Sequence, residues 1–533
     1  MKKYFNVSLK SLAILFALGI IAAGVTSWLL ITIAYHKAEE KSAYEGIVKP
    51  LSDKDVSPEA WGVNFPFHYQ SYLKMGEKMP ATYFAGGEPY SKLIRYPALT
   101  ELWAGYPFSA DYNTKRSHVF SQVDQMETKR NDKEWLNSHG FPAFKGQPGA
   151  CMNCHSGHVP ELIKSMGWLE FNKTPYTEIK AGLMKKYGDG MHQGALGSTC
   201  ADCHTPKDMS LRITRPAYIN AMVIRGYKAD PETGIKATPQ EMRSHVCQQC
   251  HVEYYFKKGS NELTFPWANW PKDTPFRIEM FDKYYENIIE EFPQDWQHKV
   301  TGAAMLKMQH PETELTSSGI HAQNGVACAD CHMPFIREGA RKFTDHNIRS
   351  PLFNINASCQ TCHNIPENKL KERVENIQMQ TASTLRNTEG VILALIQDID
   401  TAKKMLLNND TFTKNKTKEQ IESEINKVLK NARQAHRQAN MRWDFIFSEN
   451  STGFHSPAEA QRVLGQAMQI ARSGQISLIN DLNQVGIHMK MTDLFGKVPQ
   501  APAPIPERHK PVGDPPSESV ISVDQKVKEL NKY

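Results

Sequence analysis

The ten cysteines of this chain fall as five Cys-x-x-Cys pairs with none left over, and each pair is followed at once by histidine. The motifs are Cys151-Met-Asn-Cys154-His155, Cys200-Ala-Asp-Cys203-His204, Cys247-Gln-Gln-Cys250-His251, Cys328-Ala-Asp-Cys331-His332 and Cys359-Gln-Thr-Cys362-His363. Histidine is only 20 of 533 residues, so its fivefold return to one position is not a product of composition. Zinc would need two cysteine pairs per ion, or one pair with a spaced pair of histidines, and five pairs do not divide into four-cysteine sites. Disulfides leave the histidines unexplained. In Cys-x-x-Cys-His the two thiols form thioethers to a porphyrin and the adjacent imidazole reaches the iron from one face. The motifs therefore predict five covalently bound haem c groups. All five lie between residues 151 and 363, in gaps too short for independent modules, so one body with closely packed cofactors is expected.

The rest of the composition agrees. An apolar share of 40% is low for a globular chain of this length and fits a core filled partly by something other than side chains. A formal net charge of +6 is small, and no Lys or Arg block is long enough for a nucleic-acid arm, so nucleic acid is set aside. Residues 1–41 read as a membrane anchor or signal segment. After Lys2, Lys3 and Lys10 the chain runs apolar from Leu12 to about Tyr35, enough at helical rise to cross a bilayer. The run is long for a signal-peptide core and no small-x-small site follows it, so an uncleaved anchor is the expectation and cleavage the alternative. The lysines before the helix put the N-terminus in the cytoplasm. The bulk is then periplasmic, held at the inner membrane, in the compartment where c-type haem is attached.

Residues 42–366 form the haem-binding catalytic body in this reading, beginning with an aromatic, proline-rich stretch of short helices and loops up to Ala150. Residues 367–496 are helical: Leu385 to Leu407 and Lys418 to Phe447 carry apolar residues at three- and four-residue spacing. Ser456-Pro457 opens a further helix running to about Val485. Residues 497–533 are a proline-rich tail, with seven prolines from Pro499 to Pro516. Strand signals are sparse. The fold class is mainly α with little β: a multihaem cytochrome c body, long C-terminal helices and an N-terminal transmembrane helix.

What such a protein does turns on the second axial position of each iron: five closed irons make an electron conduit, and one open iron makes a catalyst. Fifteen histidines lie outside the motifs, enough for either. From about Asp111 to Leu464 the chain resembles the pentahaem cytochrome c nitrite reductases that form ammonia. The resemblance rests on the order and spacing of the motifs, on Val252-Glu253-Tyr254-Tyr255-Phe256 after the third, and on Lys307-Met308-Gln309-His310-Pro311-Glu312 before the fourth.

It implies that the first motif holds the catalytic haem, with Arg130, Tyr254 and His310 on its open face. Nitrite is an anion whose oxygens leave as water, so a fixed cation and proton donors suit the task. It further implies His346 as distal ligand of the second haem, His118 of the third, His455 of the fourth and His321 of the fifth. Calcium would be bound by Glu253 and Gln309 side chains and the Tyr254 and Lys307 carbonyls. Six-electron reduction of nitrite to ammonium, a membrane quinol-oxidising cytochrome c as electron donor, and a homodimer built on the long helices follow from the same resemblance. The chain departs from the family in one place, since the usual catalytic motif ends in Lys where this chain has His155. A non-catalytic conduit, and a related reductase or oxidase of hydroxylamine or sulfur oxyanions, stand as alternatives. The remaining histidines are read as surface or core residues, with His192 and His436 the first to check for another role.

Overall fold

An uninterrupted apolar stretch with no proline favours one long helix, and α1 runs Leu9–Tyr44. Its apolar window, Leu9–Lys37, spans 29 residues with mean hydropathy 2.4 and buries nothing against the rest of the chain. At 1.5 Å per residue it is about 43 Å long, more than the hydrocarbon thickness of a bilayer, so it is long and apolar enough to cross one. The computed structural model describes residues 8–44, 49–77, 80–84, 86–87, 89–187, 197–271, 274 and 276–499. Lys2, Lys3, His192 and all of the proline-rich tail beyond Pro499 lie outside them.

From Lys49 to Pro366 the chain makes short helices joined by loops, several of them opened by a proline at the first helical turn, as at Pro66, Pro216 and Pro239. The strands among the described residues are four small antiparallel hairpins, of which Phe335–Glu338 with Arg341–Thr344 has the longest strands. Local capping sets where the motifs sit. The helix Pro239–Gln248 is started by a capping box in which Glu241 N–H donates to Thr238 Oγ1 (3.2 Å) and Thr238 N–H to Glu241 Oε2 (2.8 Å). That helix ends by delivering Cys247. In the two Cys-Ala-Asp-Cys motifs the aspartate caps its own turn: Thr199 N–H donates to Asp202 at 2.7 Å, and Ala327 N–H to Asp330 at 2.8 Å.

Three long helices close the body: α2 (Glu367–Leu407), α3 (Lys418–Ser448) and α4 (Pro457–Gln484). The last begins at the Ser456-Pro457 signal. The first begins at Glu367, and its early turns, though mostly charged and exposed, already carry Leu370, Val374 and Ile377 at helical spacing ahead of Leu385. They pack on one another through fully buried Leu395, Ile399, Leu429, Ala432, Ala467 and Leu478. α3 also grips the body. Its Asp444 takes the Lys307 ammonium at 2.9 Å and the Met308 N–H at 2.9 Å, and Arg437 donates to the carbonyls of Pro293 (2.8 Å) and Ala304 (2.6 Å). The segment that carries Gln309 and His310 is thereby hung from a rigid rod.

α3 and α4 approach closely because Gly474 has no side chain: a Cβ there would lie 2.5 Å from Ala435 Cβ. Gly474→Ala should destabilise the protein by about 1–3 kcal/mol through overpacking. Adding Ala435→Gly should return much of the loss, and thermal unfolding of the two variants checks both statements.

Candidate functional site

Each motif histidine from the second to the fifth meets one imidazole from a distant part of the chain. Ring centres lie 6.2 Å apart for His204 and His346, 6.3 Å for His251 and His118, 6.3 Å for His332 and His455, and 6.1 Å for His363 and His321. Two metal–nitrogen bonds of about 2 Å put facing nitrogens about 4 Å apart, and the ring centres lie roughly 1 Å further back on each side, so the observed spacing is that of two imidazoles sharing one ion. His251 is also 6.4 Å from His310, because Thr313 N–H donates to the His251 carbonyl (3.2 Å) and draws that loop in. Spacing alone therefore does not choose between His118 and His310.

Nδ1 of several of these rings is already committed. His155 donates to the Ser121 carbonyl (3.1 Å), His204 to Met209 (2.8 Å), His332 to Arg349 (3.2 Å) and His346 to Thr344 (2.8 Å). A carbonyl only accepts, so the proton is on Nδ1 and the lone pair on Nε2, the tautomer a metal needs. Burial lowers the pKa of His204, His332 and His346 to about 4 and of His155 to about 3, which keeps them neutral. His455 differs: its Nδ1 donates to the Glu449 carboxylate at 2.5 Å, and although burial opposes it, that charge raises the pKa to about 9.

None of the ten cysteines is in a disulfide. Thiols of different motifs meet instead, Cys154 with Cys250 and Cys247 with Cys328. Buried Arg215 ties the first motif to the second, donating to the carbonyls of Asn153 and Ser156 (3.0 Å) while its guanidinium pairs with Asp202 at 2.7 Å.

The first motif is arranged otherwise. Among the described residues His155 makes no ring contact with a second imidazole. Around it are Arg130 and Tyr254, both within electrostatic reach of Cys151, and His310, within reach of His155. Arg130 is 6% exposed and lies 3.7 Å over the Phe108 ring. Its Nε is 3.6 Å from Asp111 Oδ2 but hydrogen-bonds to nothing, so a buried cation is held in place with donors to spare. Burial holds the Tyr254 phenol protonated and the His310 ring neutral, with His310 Nδ1 buried and unpartnered. Sequence reading missed Asp111 as the anchor of Arg130. It also missed Tyr106, stacked on Trp296 at 4.7 Å beside Arg130 and Cys151, and Lys115, a buried amine lowered to about 8 by burial and by Arg130. These are tertiary contacts with no local signal.

The cytochrome c552 family model matches residues 57–504. The chain belongs to the cytochrome c552 family. Cytochrome c-552 of Porphyromonas gingivalis is 34% identical over 476 residues, covering 89% of this chain and 85% of that one. Cytochrome c-552 of Desulfotalea psychrophila is 34% identical over 489 residues, covering 90% and 86%. Among solved structures the cytochrome c nitrite reductase of Desulfovibrio desulfuricans, whose catalytic subunit has two calcium sites, superposes with a TM-score of 0.68 at 27% identity, covering 81% of this chain and 88% of that one. The mainly α multihaem cytochrome fold is thus shared with a solved member.

The residues expected to hold calcium also come together in this chain. Gln309 N–H donates to Glu253 Oε2 at 2.6 Å, and Gln309 Nε2 approaches the Lys307 carbonyl at 3.5 Å. The Lys307 ammonium points away to Asp444 and Ser448. Glu253 is fully buried and its Oε1 has no partner. One carboxylate, one amide and nearby carbonyls form an all-oxygen donor set suited to a hard cation. No group of three His, Cys, Asp or Glu side chains placed to hold a metal ion occurs among the described residues, so the set depends on backbone oxygens. Of the histidines read as surface or core residues, His436 lies 4.7 Å from His298 and shares a hydrogen bond with Thr301 (3.1 Å), while His68 sits edge-on to His346 at 5.1 Å.

Arg215→Gln should cost about 3–5 kcal/mol, since it strands the Asp202 charge and two carbonyls in the interior. Adding Asp202→Asn should cost less than the sum of the single changes; calorimetry of the three variants gives the test.

Proposed function

We propose that the chain is an ammonia-forming nitrite reductase with five haem c groups, one on each motif, four closed by paired histidines and the first open to substrate. The observation that carries this is the contrast at the first motif: four motif histidines make a ring contact with a second imidazole, whereas His155 makes none among the described residues, and its motif has Arg130 and Tyr254 within reach of Cys151 and His310 within reach of His155. His118 is assigned to the third haem and His310 to the open face because His310 also neighbours His155. His346, His455 and His321 close the second, fourth and fifth, and His155 takes the place of the family's usual lysine.

When bound, the first haem supplies an iron that takes the substrate nitrogen and passes it electrons. Everything else is the work of the chain. Nitrite to ammonium consumes six electrons and eight protons and releases two waters. Arg130, kept aimed by Asp111 and Phe108, holds the anion and the negative charge that grows on its oxygens. Tyr254, protonated, gives a proton; His310, neutral, can donate from one nitrogen and be reloaded at the other. Thiol contacts between motifs one and three and between three and four support a relay of electrons through the body. Calcium on Glu253, Gln309 and the Tyr254 and Lys307 carbonyls would pin the loops that present Tyr254 and His310. The reading extends to α1 as an inner-membrane anchor for a periplasmic body (42–366), to a quinol-oxidising cytochrome c as donor, and to α2 to α4 (within 367–496) as a homodimer face.

Electron paramagnetic resonance of the oxidised protein should show one high-spin haem in five, shifted by nitrite; an all-low-spin protein indifferent to nitrite would mean a conduit instead. Arg130→Ala or His310→Ala should lower nitrite turnover by roughly 10²–10³-fold with haem content intact. Chelation should lower activity without haem loss, and metal analysis should return calcium.

A further inference from the structure

Of the imidazoles whose Nδ1 partner was described above, four donate to backbone carbonyls and His455 alone donates to a carboxylate. That carboxylate is built in. The Glu449 side chain is fully buried directly after α3, where the chain turns out of the helix. Ser451 N–H donates to its Oε1 at 3.1 Å, and Ser451 Oγ and Gly453 N–H to its Oε2 at 2.7 and 3.5 Å. With both oxygens tied to the loop Asn450–Phe454, the group cannot swing away, and the same loop carries His455, whose own N–H donates to Ser451 Oγ at 2.9 Å. A second buried acid, Glu312, is hydrogen-bonded to Asn450 N–H at 3.3 Å on the same loop. His332, across from His455, has only the neutral Arg349 carbonyl.

We propose that Glu449 is a positioning residue that gives His455 anionic character and thereby makes the haem of the fourth motif the most reducing of the four closed ones. The proposal rests on the reading that His332 and His455 ligate that haem. A ligand N–H donating to a fixed carboxylate is a stronger electron donor to the metal, and it stabilises the ferric over the ferrous state, because the former carries the extra charge. The position has a use. The fourth motif adjoins the third through Cys328 and Cys247, and the fifth through Cys331, which senses Cys359 and Cys362. A low-potential haem there makes passage from the fourth to the third motif downhill, toward the first.

The experiment is a spectroelectrochemical titration of the full-length holoprotein carrying Glu449→Gln, with Glu449→Asp as the conservative control and haem content measured alongside. One low-spin haem should shift upward in midpoint potential in Glu449→Gln, the other four should stay within error, and Glu449→Asp should move it less. In the unsubstituted ferric protein, the near-infrared charge-transfer band of one low-spin haem should lie at shorter wavelength than the rest, a readout that needs no variant. Unshifted potentials with haem intact, or four superposed near-infrared bands, would overturn the proposal. His455→Ala separates the two readings: loss of one low-spin signal keeps the ligand assignment whatever Glu449 does, and retention of all of them removes that assignment.

Discussion

The separation of paired imidazoles governs the rest of this architecture. Four pairs of rings, contributed by segments far apart in sequence, are held between 6.1 and 6.3 Å. Edge-to-face contact tolerates a range of several ångströms, so the near-equal spacing has to be imposed by what lies behind each ring. The structure meets the demand with Nδ1 bonds to backbone carbonyls, one-turn helices capped from inside the motif by Asp202 and Asp330, and burial that keeps His204, His332 and His346 neutral. Little regular secondary structure is needed between residues 49 and 366, because the loops are fixed at points rather than along lengths.

The long helices supply the stiffness that the loops lack. α3 reaches the candidate site through a buried contact in which Asp444 takes both the Lys307 ammonium and the Met308 N–H and Ser448 takes the same ammonium. Turning the Lys307 side chain toward α3 leaves its carbonyl on the side of Glu253 and Gln309, so the same contact serves the candidate cation site and places His310. Arg130 is handled separately, by Asp111 and the Phe108 face, which lets its guanidinium remain buried without being fully hydrogen-bonded.

Much of this could be read from residues alone. The five motifs, the apolar N-terminal helix and the start of α4 at Ser456-Pro457 each have a local cause that leaves a local mark. The first turns of α2 leave a fainter mark, since Leu370, Val374 and Ile377 stand among charged, exposed residues. The histidines proposed as distal ligands carry no mark at all: His118, His321, His346 and His455 were nameable only through resemblance, because what distinguishes them is a ring facing them from elsewhere in the chain. Asp111, Tyr106, Lys115 and Glu449 were invisible for the same reason. Each acts through a neighbour that the fold brings close and that sequence spacing does not reveal.

The contact between thiols of separate motifs has a bearing on how such a protein is made. Cys154 lies against Cys250, and Cys247 against Cys328, in a body whose segments have already closed over one another. A modifying enzyme needs each pair splayed and reachable, which the finished body does not offer. Attachment must run ahead of compaction, on a chain still emerging and extended. A sequence that collapsed too readily on its own would be sealed before it was complete, so weak apolar content in the body is an advantage during maturation.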